Sequence, residues 1–122
     1  MANVQIQRNR CPAIEPIFGR EYQYGYYYEE TIATGATGDN IIIPILPANK
    51  AIGITLIAGA NTGKFQATRS WDNTDNTLPS DATWFDLELE ADTGTVANAI
   101  LDPITGLRGV STSGEIKIEV VI

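Results

Sequence analysis

The sequence predicts an all-β chain: one antiparallel β-sandwich, Greek-key or jelly-roll-like, over residues 21–122, preceded by an extended N-terminal arm over residues 1–20. Three observations predict it. Apolar and polar residues alternate with a period of two, most cleanly at Gly114–Ile122, where Ile116, Ile118, Val120 and Ile122 share one face and Glu115, Lys117 and Glu119 the other. Successive side chains of a strand point to opposite faces, so this pattern is that of a half-buried strand. About eight or nine such stretches follow one another, separated by Gly, Pro, Asn and Asp clusters, the spacing of a sandwich or barrel. From Gly59 to Ile122 no helical pattern interrupts them, and no internal repeat stands out.

The elements read in order as follows. In the arm, Val4-Gln5-Ile6 alternates briefly as a strand would, and Pro12 and Pro16 exclude a helix or a central strand beyond it. Residues 21–30 form a strand with Tyr22, Tyr24, Tyr26 and Tyr28 on one face. Tyrosine favours strands, and such a stripe serves either as a half-buried sheet face or as a contact surface. Residues 33–40 are a loop. Asn40–Ile45 alternates little and reads as a strand buried on both faces. Ala51–Ala58 carries Ile52, Ile54 and Leu56 on one face, and the Gly59–Gly63 turn should fold it into a hairpin with Lys64–Ser70. Asp72–Asp81 is the longest polar loop. Ala82–Leu89 is a strand bearing Trp84, Thr95–Leu101 is a strand or short helix, and Ile104–Val110 and Gly114–Ile122 close the chain.

Composition bounds what the chain can do. Its 122 residues, 43% hydrophobic and 19% charged, make one globular domain able to fold without metal or disulfide staples. Fifteen acidic against eight basic residues give a net charge of −7, which argues against nucleic acid as a partner. Residues 1–20 run the other way, with Arg8, Arg10 and Arg20 against Glu15 alone, so the arm reads either as a segment that docks on an acidic partner surface or as a solvated tail end. Cys11 is the single cysteine and reads as a buried small group. The start is polar and the apolar runs are short and broken, so the expectation is a chain made in the cytoplasm, without a signal peptide or membrane span.

The chemistry is sparse. The chain has no histidine, which removes the commonest acid–base residue, Ser–His–Asp and Cys–His arrangements, and His-containing zinc sites. No phosphate-binding glycine motif is present. Asp86 and Glu88 share a strand face with Trp84, as acid and aromatic do in a sugar site, although an exposed strand face supplies the same alternation by default. Asp72, Asp75 and Asp81 with Asn73 and Asn76 could offer oxygen to calcium, but their spacing departs from the calcium-loop pattern. Trp71 and Trp84 could stack a glycan or pack in a core or interface. The reading is therefore no catalytic residue, no cofactor and no metal: a chain that binds or builds.

Three stretches carry a resemblance. Gly63-Lys64-Phe65-Gln66-Ala67-Thr68, Asp81-Ala82-Thr83-Trp84-Phe85-Asp86, and Pro103-Ile104-Thr105-Gly106-Leu107-Arg108-Gly109-Val110 followed by Ser113–Ile118 together resemble small virion structural proteins of tailed bacteriophages, of the capsid decoration or cement type. The resemblance covers roughly the second half of the chain. It implies a sandwich, often trimeric, that attaches to the major capsid protein lattice and stabilises the shell of the virion. In that setting the expected partner contacts are Arg8, Arg10, Phe18 and Arg20 of the arm and Tyr22, Tyr24, Tyr26 and Tyr28. Leu107-Arg108 and Trp84 read as packing, the Arg stem lying across an aromatic face. The alternatives are a carbohydrate-binding or receptor-recognising module and another head or tail component. Removing residues 1–20 is expected to leave a folded domain that no longer binds.

Overall fold

A computed structural model describes residues 2–10, 24–43, 51–87 and 94–122. Among the described residues ten strands form two five-stranded sheets. They are β1 (Asn3–Gln5), β2 (Gln7–Arg10), β3 (Tyr24–Ile32), β4 (Asn40–Ile42), β5 (Ile52–Gly59), β6 (Thr62–Thr68), β7 (Trp84–Asp86), β8 (Gly94–Ile100), β9 (Gly106–Ser113) and β10 (Ile116–Val121). Sheet A runs β1-β4-β9-β6-β7 and sheet B runs β2-β3-β10-β5-β8. All pairs are antiparallel except β1–β4.

The two strand orders match place by place, so β1 stands with β2, β4 with β3, β9 with β10, β6 with β5 and β7 with β8. Each of these couples is consecutive in the chain, which therefore changes sheet at every one. For β3–β10 this is the order of an eight-stranded jelly roll, one of the two topologies the sequence left open. It also revises one expectation. The Gly59–Gly63 turn does not close a hairpin: β5 lies in sheet B and β6 in sheet A. The physical reason is the placement of their apolar faces, Ile52, Ile54 and Leu56 against Phe65 and Ala67, all buried in one core. Two strands of a hairpin would lie side by side and turn those faces the same way; a crossing sets them opposite each other.

The core is a single cluster drawn from both sheets, including Ile41, Phe65, Ala67 and Leu107 of sheet A and Ile32, Ile54, Leu56, Ile116, Ile118 and Val120 of sheet B. Its shape depends on glycine opposite isoleucine. A Cβ at Gly109 would lie 2.6 Å from Ile32 Cδ1 and 3.0 Å from Ile118 Cγ2. Gly63 likewise leaves room for the Ile116 side chain. At the β9–β10 crossing Gly114 has φ +68°, and the Asn61 side chain occupies the place its Cβ would take. Asn61 Nδ2 donates to Glu115 O at 2.9 Å, tying the β5–β6 and β9–β10 crossings together.

Residues 3–10, within the expected arm, are extended and pair into both sheets: β1 along β4, β2 along β3, with Ile6 buried between them. Asn3 Nδ2 donates to Leu78 O at 3.1 Å and to Thr77 Oγ1 at 3.2 Å, so the start of the chain also holds the polar loop. Leu78, the single large apolar residue of that loop, is buried beside Gly106. β4 is one-sided rather than buried on both faces: Ile41 and Ile43 are buried, while Asn40 and Ile42 are half-buried.

Two outcomes follow. Gly109→Ala should destabilise the fold by about 1–3 kcal/mol, since the added methyl would overlap Ile32 Cδ1 and crowd Ile118 in a packed core, forcing them to shift; urea unfolding measures this. Removing residues 2–10 strips an edge strand from each sheet together with Ile6. The truncated chain should unfold at a lower urea midpoint, and Ile6→Ala alone should cost about 2–4 kcal/mol. A truncation as stable as the full chain would show that residues 2–10 add nothing to the stability of the two sheets.

Candidate functional site

The richest constellation of side chains lies on the outer face of sheet A, across β7, β6 and β9. Along β6, Gly63, Phe65 and Ala67 turn inward, so Lys64 and Gln66 turn outward. The register sets Gln66 opposite both Asp86 and Arg108, and Thr68 opposite Trp84. Period-two alternation on three neighbouring strands thus brings one set of polar and aromatic residues to one surface.

They form a continuous chain of contacts. Lys64 Nζ donates to Asp86 Oδ2 at 2.9 Å, and Gln66 Nε2 donates to Asp86 Oδ1 at 2.8 Å. Gln66 Oε1 in turn accepts from Arg108 Nε at 2.8 Å. The Arg108 guanidinium lies over the Trp84 ring, 4.1 Å from its centroid. Such stacking is favourable because the ring's negative face meets a weakly hydrated cation. Hydrogen bonds from Gln66 and then Lys64 hold the Asp86 carboxyl below its usual range, while burial lowers the Arg108 guanidinium. Among the described residues no carboxylate lies within salt-bridge distance of Arg108. Trp71 stands at the head of the polar loop, 37% exposed.

The outer face of sheet B has a different character. Tyr27 donates to Glu29 Oε2 at 3.0 Å and to Glu119 Oε2 at 3.5 Å, and Lys117 pairs with Glu29 at 3.2 Å. Desolvation and then the Glu29 hydrogen bond push the Tyr27 phenol up to about 12. The hydrogen bonds from Tyr27 and Lys117 hold Glu29 below its usual range.

Of the tyrosine stripe, Tyr26 and Tyr28 pack against the core and are half-buried. Tyr28 donates to Glu30 Oε1 at 3.1 Å, and burial followed by the Glu30 charge raises its phenol. Glu30 also accepts from the Asp39 N–H on both oxygens, bracing the β3–β4 connection. Tyr24 begins β3, and Arg8 and Arg10 lie on β2. Cys11, Phe18, Arg20, Tyr22 and Glu88 lie outside the described residues. The acidic loop is closed on itself: Asp72 Oδ1 accepts from the Thr74 and Asp75 N–H groups, and the Asp72 and Thr77 backbones exchange bonds. Among the described residues no three acidic, Cys or His groups converge as a metal site. The strand phase of Trp84 with Asp86 and an Arg108 stem across an aromatic face are both expectations from the sequence. Lys64 and Gln66 join the constellation only in the structure; their outward phase along β6 is the one sequence signal for them.

These contacts make the pH response specific. Asp86 and Glu29 titrate lower in the fold than in the unfolded chain. Their stabilisation is complete above the ordinary carboxylate pKa of about 4 and fades as pH falls toward their lower folded values. Tyr27 titrates higher in the fold, so its contribution is complete below the ordinary phenol value of about 10 and is lost as pH rises toward 12. Thermal unfolding across pH should show Asp86→Asn flattening the acid limb and Tyr27→Phe the alkaline limb; limbs unchanged by these variants would refute the assignment. Arg108→Ala should cost about 1 kcal/mol through the lost stacking and the stranded Gln66 oxygen. No protein-family model matches the chain, and neither does any curated protein or solved structure.

Proposed function

We propose that the chain is a non-catalytic virion structural protein that binds the capsid surface and stabilises the shell, with the major capsid protein as its partner. One observation supports this reading above the others. Of the three stretches that carry the resemblance, distant in sequence, the parts that form β7, β6 and β9 lie side by side in sheet A and present the continuous Trp84–Arg108–Gln66–Asp86–Lys64 face, while the last stretch runs on into β10 of sheet B. The jelly roll agrees by analogy of fold, since capsid and lectin domains both use it.

The physical logic is avidity. A shell presents the same site many times, so an assembly touching several subunits holds on through individually weak contacts. Arg8 and Arg10 on β2 and Arg108 on sheet A supply cations to a chain that is otherwise acidic. The second reading, glycan recognition, rests on Trp71, 37% exposed at the head of the polar loop, since the Arg108 guanidinium already covers a face of the Trp84 ring.

Co-sedimentation with shells assembled from the major capsid protein tests the first reading. The full chain should pellet with the shells, and Arg108→Glu or the Arg8→Glu, Arg10→Glu pair should weaken retention roughly tenfold, about 1.4 kcal/mol. A chain that stays in the supernatant at every concentration overturns the proposal. A glycan-array signal abolished by Trp84→Ala or Trp71→Ala would establish the second reading instead.

A further inference from the structure

The two sheets leave four edges among the described residues: β1 and β7 in sheet A, β2 and β8 in sheet B. An open edge presents unpaired N–H and C=O groups to any passing strand, and proteins guard it with shortness, charge or cover. Three edges are guarded. β1 and β7 are three residues each, and β2 is four residues with two arginines. The fourth is not. β8 is seven residues, Gly-Thr-Val-Ala-Asn-Ala-Ile, with no charge and no proline. It is exposed except at Val96 and Ile100, and Leu101 just beyond its end is 76% exposed. Asn98 folds its own Oδ1 onto the Ala99 N–H at 2.8 Å, the local bond by which a backbone group is satisfied without a neighbouring strand.

We propose that β8 is the surface through which two copies of this chain pair, antiparallel and edge to edge, about a two-fold axis through Asn98. The strand is complementary to itself in this register. Val96 falls opposite Ile100, Ala97 opposite Ala99, Thr95 opposite Leu101 and Gly94 opposite Asp102, with Asn98 meeting Asn98 on the axis. Val96, Asn98 and Ile100 stand beside Leu56, Ile54 and Ile52 of β5, so they belong to the core side, and pairing joins the two cores under one ten-stranded sheet. A slip by one residue would turn Val96 and Ile100 against the outward alanines, which fixes the phase. In a close, non-hydrogen-bonded pair the two carboxamides can bond each other, and a single polar pair on an axis selects register.

Charge selects a second copy as the occupant. Each chain carries −7, so two copies repel over most of their surfaces. The neutral edge lets them meet without setting carboxylate against carboxylate, since Asp102 falls opposite glycine. Repulsion is screened by salt and the edge contact is not, so pairing should strengthen as ionic strength rises.

Size-exclusion light scattering of the full chain, at low and high concentration and salt, tests this. The expected result is a particle of two chain masses, more populated at high salt. Asn98→Lys and Ala97→Lys, the latter on the outer face, should each halve the mass with the strand circular-dichroism signal intact. Ala60→Lys, the same charge on an exposed turn, should leave the dimer unchanged. On a Cys11→Ser background, Asn98→Cys should form a disulfide-linked dimer in oxidised glutathione. A monomer under every condition, a dimer indifferent to both lysines, or a trimer would overturn the proposal. A trimer would leave the shell-binding reading standing, and failure to bind shells would leave the β8 pairing standing.

Discussion

Isoleucine facing glycine is the contact on which the remainder of the structure rests. Ile32 and Ile118 of sheet B reach the space left by Gly109 of sheet A, and Ile116 reaches that of Gly63. Were both sheets lined with large side chains, they would stand further apart and the short crossings could not span the gap. The β5–β6 and β9–β10 connections, braced by the Asn61 side chain, are possible because the sheets approach closely at that end. Close approach also explains why Phe65 and Leu107 are fully buried in a chain of modest size. Interdigitation at this density makes the core intolerant of even one added methyl.

The outer faces inherit their chemistry from this arrangement. Once Phe65 and Leu107 are committed inward, Gln66 and Arg108 have no choice but to face out, and the ladder sets them opposite each other. The two faces differ in sign and in freedom. On sheet B the tyrosine and lysine are absorbed by Glu29 and Glu119, leaving the acids in excess. On sheet A the Asp86 carboxylate is absorbed by Lys64 and Gln66, leaving a guanidinium held flat on an indole. A side chain so held loses little freedom when a ligand arrives, which is the physical content of a preorganised contact.

How much of this was legible in the sequence depended on range. β5, β6 and β10 were readable because alternation is a local property, and Ile52, Ile54, Leu56, Phe65, Ile116 and Ile118 all fell on the buried side. The destination of the Gly59–Gly63 turn was not readable, because glycine and asparagine make a tight reversal equally well within a sheet or between two. β1 shows in the sequence only as the brief Val4-Gln5-Ile6 alternation, and Ile6 gains its burial from β4 and β3, which lie far along the chain. Leu78 was hidden by its polar neighbours. At the candidate site the stacking of an Arg on an aromatic ring could be anticipated from residue type. The Gln66 bridge could not, since its partners lie 20 and 42 residues away and meet it only through sheet order.

The placement of β10 has a consequence for how the chain acquires its shape. It is the last strand of the fold, yet it occupies the centre of sheet B between β3 and β5. Among the described residues no short turn joins two hydrogen-bonded neighbours, so no local hairpin can serve as a seed. While the chain is being synthesised, β3 and β5 have no central strand to join them, and sheet B cannot assemble until residues 116–121 clear the ribosome. Folding of such a topology is governed by closing long loops and belongs to the slow end of the range, on the order of milliseconds to seconds. During that interval the apolar faces of β3 and β5 are open to solvent, and the chain depends on its acidic charge to keep nascent copies apart.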